Sequence, residues 1–310
     1  MVEDNEIKAQ VSPFAIREGE IKTFDGKDGY VSMNQIVHKI NIGHITDIHF
    51  AILDLVNEFE FITSRQIYQM LEIKGIDPKS QDKLNNKLDA LVKSKILTRY
   101  YFTSDEGKGI YRIYCLEKMG KYLLTSKEVE CKWQPSDNTK PVPMIKKRLA
   151  GNQVLIAYLR KVKAFDGYVV KPAITAKTLG KVFKATGGSV KLSKNGKSIQ
   201  FLFEVFRREM DWQKKLVEKM NLYKDFYDNF QPGDSGFTSL PQLIFVCEDE
   251  KHMAECFKEI VTNKVEIPQI KLLFTTDLRQ NKETLDDTLV EFKLVDGKYK
   301  MEDVELKLLG

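Results

Sequence analysis

Residues 44–124 read HITDIHFAILDLVNEFEFITSRQIYQMLEIKGIDPKSQDKLNNKLDALVKSKILTRYYFTSDEGKGIYRIYCLEKMGKYLL. The run from His44 to Phe61 sets Ile48, Ile52, Leu55, Val56 and Phe59 at helical spacing. In FITSRQIYQMLEI, Thr63 or Ser64 supplies the hydroxyl that caps a short helix, and Ile67, Met70 and Leu71 form its buried stripe. Beyond the break at Gly75-Ile76-Asp77-Pro78, SQDKLNNKLDALVKSK predicts a third helix with Leu84, Leu88, Leu91 and Val92 facing inward. Two β-rich segments, ILTRYYF and GIYRIYCL, are joined by the turn-forming TSDEGKG. Three helices followed by a two-stranded wing is the order of a winged helix-turn-helix, a module that places one helix in a DNA groove. The same module also serves as a protein-docking unit, and that alternative stays open.

The rest of the chain divides around this stretch. At 310 residues, with 42% hydrophobic and 30% charged side chains, the composition is that of a globular protein of two domains, not a disordered tail. Residues 1–43 read as an N-terminal extension, 44–127 as the winged helix-turn-helix, and 128–148 as a linker. The linker, EVECKWQPSDNTKPVPMIKKR, carries three prolines and few periodic apolar positions, with Trp133 as an anchor at a domain contact. No apolar run approaches the ~20 residues that span a bilayer. MVEDNEIKAQ is charged from the start, unlike a secretory leader, so a cytoplasmic location is expected. The net charge of +5 suits a nucleic-acid binder without requiring one.

Cys115, Cys131, Cys247 and Cys256 show no C-x-x-C spacing, which predicts reduced, buried thiols and no metal site. His44 and His49, five positions apart, point to different faces of a helix and do not predict a metal clip.

Residues 149–310 alternate helix and strand. NQVLIAYLRKV is helical and FDGYVVKPAI strand-like; SIQFLFEVF is a strand with Ile199, Phe201 and Phe203 on one face and Leu202, Glu204 and Phe206 on the other. A long amphipathic helix over DWQKKLVEKMNLYKDFYDNF, a buried strand in LPQLIFVCED, a helix in HMAECFKEIV and a strand in PQIKLLFTT follow. The fold class expected is a two-domain α+β and α/β protein.

On the third helix, successive residues turn by about 100°, which places Lys79, Asp82, Lys83 and Asn86 opposite the leucine face. Lysines neutralise phosphates, and asparagine pairs bidentately with adenine. Lys87 and Lys93 flank that surface, Lys108 sits at the wing tip, and Arg99 and Arg112 lie on the wing strands. From Lys171 to Lys197 there are seven lysines and no acid, with Gly187-Gly188 and Asn195-Gly196 as hairpin turns. Lys184, Lys191, Lys194 and Lys197 of this segment are expected to track a phosphate backbone. A solvated edge hairpin is the alternative.

The segments FITSRQIYQML, KLDALVKSKILTRYYF and GIYRIYCLEKMGKYLL resemble the N-terminal half of the plasmid replication-relaxation family. FLFEVFRREMDWQKKLVEKMNLYKDF and LPQLIFVCEDEKHMAECFKEI extend the resemblance to about residues 45–262. It implies a DNA-associated protein of plasmids, conjugative elements or phages, acting in replication, mobilisation or transcriptional control. It also implies a second domain of restriction-endonuclease type. Its partners would be double-stranded DNA and a relaxase or replication initiator, with a homodimer left open and no cofactor expected. A metal-dependent nuclease needs an Asp on one strand and E-x-K on the next. Here Glu204 has Phe206 where that lysine belongs, and AITAKTLGKVFKATGGSVKL holds no carboxylate. Catalysis by Glu204 with Lys219 is therefore the disfavoured alternative to an inactive nuclease fold. The sequence shows no phosphate-binding loop, nucleophile elbow or H-E-x-x-H motif.

Overall fold

The computed structural model describes residues 11–104, 107–282, 284–295 and 298–304. Its elements run β1 (Ile21–Phe24), α1 (Met33–Asn41), α2 (Asp47–Phe59), β2 (Ile62–Thr63), α3 (Ser64–Ile73), α4 (Gln81–Lys93), β3 (Leu97–Ser104), β4 (Gly107–Leu116) and α5 (Lys118–Ser126). Then come α6 (Val142–Lys161), β5 (Phe165–Val169), β6 (Ala173–Ala176), β7 (Lys181–Lys184), β8 (Ser189–Lys194), β9 (Lys197–Val205) and α7 (Trp212–Asp228). The chain closes with β10 (Gln242–Cys247), α8 (Glu250–Thr262), β11 (Leu273–Thr276), β12 (Leu289–Val295) and β13 (Lys298–Val304). Helices and sheets are mixed throughout, and no described helix is long and apolar enough to cross a membrane.

In the first half, local chemistry sets the helix starts. Thr63 caps α3 in a reciprocal box with Gln66, and Ser80 caps α4 through the Lys83 amide. The inward faces are those of the hydrophobic periodicity: Ile52, Leu55, Val56 and Phe59 of α2 and Leu84, Leu88 and Leu91 of α4 are buried. The sheet order is β1-β3-β4-β2, with β3 and β4 antiparallel from Leu97↔Leu116 and β2 closing on β4 at Ile62↔Tyr114.

The second half is a seven-stranded sheet in the order β13-β12-β11-β10-β9-β8-β5. Its centre is parallel, β9 to β10 to β11, and its flanks are antiparallel. Parallel strands buried on both faces read as continuous apolar runs, and Leu243, Ile244, Phe245, Val246 and Cys247 of β10 are all buried. On β9, Phe201, Phe203 and Val205 face the core shared with α6, while Leu202 and, just beyond the strand, Phe206 face the core beneath α7 and α8.

Three features of the arrangement differ from what the sequence predicts. The expected linker over 128–148 ends inside α6, which begins at Val142, so the boundary at 149 falls within a helix. Pro141 and Pro143 suggest a loop, but proline is tolerated at a helix start, where its missing N–H has no helical acceptor. Second, α6 fastens the two halves together. Gln66 Nε2 donates to the Leu149 carbonyl at 2.7 Å and Asn152 Nδ2 to the Phe61 carbonyl at 2.8 Å. One apolar cluster runs from Phe14 through α2, α4 and α6 to Leu289.

Third, the described part of the N-terminal extension is integral to both halves. β1 pairs with β3, Ser12 hydrogen-bonds Asp277, and Lys146 pairs with Glu20 at 2.5 Å. Asp277 in turn holds the fully buried Arg207 through both carboxylate oxygens, at 2.8 and 2.9 Å. Residues 1–10 of that extension lie outside the described residues.

Candidate nucleic-acid interface

Of the four residues that the helical projection groups, Lys83 and Asn86 share a groove on α4 and Lys79 joins them from the preceding loop. Lys79, Lys83, Asn86 and Lys87 line one shallow groove of about 400 Å³, together with His44 and His49. Lys83 and Asn86 are exposed and Lys87 is half-buried. Among the described residues, Lys83 and Lys87 have no carboxylate within ion-pair distance, whereas Lys79 pairs with Asp77 at 2.9 Å. Lys79 precedes the helix and holds a left-handed φ of 69°, so its place in the groove comes from the loop, not from helical phase.

The two histidines need a similar correction. His44 lies before α2, so the opposite-faces argument does not apply, and both residues line the same groove. His49 Nδ1 accepts the Thr46 amide at 3.1 Å, which leaves Nε2 to carry the proton of the neutral ring. Burial, aided by Lys87, holds the His49 imidazole below its usual range.

Other predicted contacts fall elsewhere. Asp82 is exposed in the first turn of α4 and does not line the groove; a carboxylate there favours the helix dipole. Lys93 lines a separate groove with Lys27, Tyr30, His38 and Lys39. Arg99 is engaged inside the protein: its guanidinium pairs with Asp89 and with Asp25 at 2.9 Å, and its side chain is 17% exposed. Arg112 shares Asp25 at 2.9 Å but remains half exposed. The Lys108 side chain lies outside the described residues.

The acid-free lysine segment does not form one basic hairpin. Lys184 belongs to the separate β6–β7 pair, and Lys171 reaches across to Glu60. Only Lys191, Lys194 and Lys197 lie on the β8–β9 hairpin, whose turn at Asn195-Gly196 has the two positive φ values of a tight two-residue turn. Lys191 meets Asp166 of β5 at 2.7 Å, an acid that sequence distance had hidden. Lys194 and Lys197 are exposed at the tip. Gly187-Gly188 is not a hairpin turn. It is a close crossing: a Cβ on Gly187 would sit 2.6 Å from the Phe203 Cβ.

Glu204 sits on β9 facing α7 and is buried. One oxygen accepts from Thr186 Oγ1 at 2.7 Å, the other from the Tyr223 hydroxyl at 2.6 Å, with Lys219 Nζ at 3.4 Å. Lys219 also donates to the Lys184 carbonyl at 2.7 Å and lies 4.7 Å from the Phe183 ring centre. Burial and the Glu204 charge raise the Tyr223 phenol well above its ordinary range, so it stays a donor. Among the described residues, Glu204 joins no cluster of three or more metal-ligating side chains.

A different cluster escapes the sequence. Cys247, at the end of β10, meets Cys256 of α8 with the sulfurs 4.0 Å apart, and His252 completes a buried trio within 4.8 Å. The i, i+4 pair His252 and Cys256 was a readable signal; the strand-to-helix juxtaposition with Cys247 was not.

A family model described as replication-relaxation matches residues 53–240, from α2 through the segment before β10. The chain belongs to the replication-relaxation family. Membership points to a role in plasmid replication or mobilisation. Searches of curated proteins and of solved structures return no match.

Proposed function

We propose that this protein binds duplex DNA through the α4 groove in the replication or mobilisation of a plasmid or related element. The order α2, β2, α3, α4, β3, β4, with β2 paired to β4, supports reading the first half as a winged helix-turn-helix. The observation that carries the proposal is the meeting of Lys79, Lys83, Asn86 and Lys87 with two histidines in one open groove. Lysines there neutralise phosphates, and Asn86 offers the amide that reads adenine.

In this reading the second half is a nuclease-type scaffold used as support. The strand set β5-β8-β9-β10, flanked by α6 and α7, is consistent with it. Glu204, with both oxygens held by Thr186 and Tyr223, acts as an internal anion that fixes α7 to β9. Cleavage by Glu204 with Lys219 would require those bonds to open.

Fluorescence anisotropy with labelled duplexes, random and selected, tests the proposal. Binding is expected at ~50 mM salt, where phosphate contacts are strongest, and Lys83→Ala with Lys87→Ala is expected to weaken it. An affinity unchanged by that pair would overturn the assignment of the groove.

A further inference from the structure

Between the two halves lies a second cavity, of about 560 Å³, a size that suits a small ligand. Its walls come from α2, the 128–141 segment, α6 and the β6–β7 region, so neither half builds it alone. Six cationic side chains line it against two carboxylates, Glu60 and Asp137. Trp133 and Phe61 add aromatic surface.

The charges converge on one point. Glu60 meets Lys140 at 3.3 Å, Arg148 at 3.8 Å and Lys171 in a closer pair. Lys140 also pairs with Asp137 at 3.0 Å, so two carboxylates face three cations and Glu60 is left to Arg148 and Lys171. Burial pushes the Lys171 ammonium down to about 8, with Lys184 adding repulsion, and pushes the Arg148 guanidinium down to about 10. Glu60 also holds φ 64° and ψ −63°, a backbone conformation that a residue with a long side chain adopts only under constraint from its surroundings. The chain thus keeps Glu60, on strained backbone, where it and Asp137 together carry less charge than Lys140, Arg148 and Lys171.

We propose that this cavity binds a nucleotide phosphate, with Lys140, Arg148 and Lys171 exchanging the Glu60 carboxylate for the phosphate oxygens and the Trp133 indole stacking on the base. A terminal phosphate carries nearly two charges and three acceptor oxygens, more than the single charge that Glu60 brings to the same three cations. The Trp133 Nε1 donates to Asn138 at 3.0 Å, which holds the half-buried indole in place where it lines the cavity. The source of the phosphate is either a free nucleotide or the 5′ end of a DNA strand. This site is separate from the α4 groove.

Calorimetry on the full chain tests it, with AMP, adenosine and inorganic phosphate as probes, alongside short deoxyoligonucleotides with and without a 5′-phosphate. AMP is expected to bind, adenosine to bind at least about tenfold more weakly, and Lys171→Met to lose about tenfold in AMP affinity, as a charge-assisted contact implies. Glu60→Gln removes the internal competitor and is expected to tighten AMP binding, a gain that misfolding cannot produce. Lys83→Ala with Lys87→Ala is expected to leave AMP binding unchanged, which separates this site from the DNA groove. Preference for the 5′-phosphorylated oligonucleotide over AMP assigns the strand end, and equal or weaker binding assigns the free nucleotide; either upholds the site. No binding of AMP or phosphorylated oligonucleotide to the wild type and to Glu60→Gln, or a Glu60→Gln variant that binds no tighter, overturns it.

Discussion

Removing Lys83 and Lys87 together should change the salt dependence of DNA binding by a calculable amount. If Lys79, Lys83 and Lys87 each neutralise one phosphate, log K falls with log[salt] at a slope of about −2.7, since each contact contributes about −0.9. Raising salt from about 50 to 200 mM multiplies [salt] by four, so affinity through this groove drops by about 40-fold. With Lys83→Ala and Lys87→Ala, one contact remains, the slope contribution falls to about −0.9, and the same salt change costs about 3.5-fold. Both side chains have no carboxylate partner among the described residues and α4 keeps its Ser80 cap, so the helix should persist. Anisotropy titrations at five salt concentrations measure the slope directly, and circular dichroism checks the fold. A double variant with the wild-type slope would refute the reasoning, because the groove lysines would then touch no phosphate.

Four further outcomes follow from the geometry. Asn86→Ala should cost about 1–3 kcal/mol on the selected sequence and little on random duplex, measured as a specificity ratio, because a base contact discriminates and a phosphate contact does not. Asp277→Asn should destabilise the fold by about 3–5 kcal/mol in urea unfolding, since it leaves Arg207 charged and buried without its partner; a shift under 1 kcal/mol would show the pair to be dispensable. Gly151→Ala in α6 should cost about 1–3 kcal/mol, because the added Cβ would lie 2.6 Å from the Thr186 carbonyl oxygen and 2.8 Å from Gly187 Cα, both backbone atoms.

Acidification should also destabilise the protein through His252. Burial, assisted by Arg208 and Arg207, pushes that imidazole down to about 3, so the unfolded chain binds the proton more readily than the native one. The contribution is intact above the unfolded value near 6.5 and is lost as pH falls from there toward 3. The slope approaches about 1.4 kcal/mol per pH unit well inside that window, and His49, lowered for the same reason, adds to it. Urea unfolding of His252→Asn between pH 6.5 and 5 should show a clearly flatter slope.

The sequence by itself determined the local elements and which faces of them turn inward. Period 3.6 in α2 and α4, period 2 in β9 and the apolar run of β10 are properties of neighbouring residues, and burial follows them in the fold. The hydroxyls of Thr63 and Ser80 set helix starts through bonds spanning three residues, and the α4 surface follows from helical phase once its leucines are buried.

What only the tertiary structure decided depends on pairs far apart in the chain. Arg99 reads as a free cation until Asp25 and Asp89 reach it, and Lys191 until Asp166 does. α6 begins in a proline-rich stretch and mixes buried Lys146, Arg148 and Asn152 with apolar neighbours, because it packs against both halves and has no single outward face. Its periodicity is therefore weak. The cavity around Glu60 draws its walls from segments more than 100 residues apart, and the Cys247–His252–Cys256 trio needs a strand end to meet a helix face. Charge and ligand geometry are settled by distances in space, which short-range patterns in a chain do not encode.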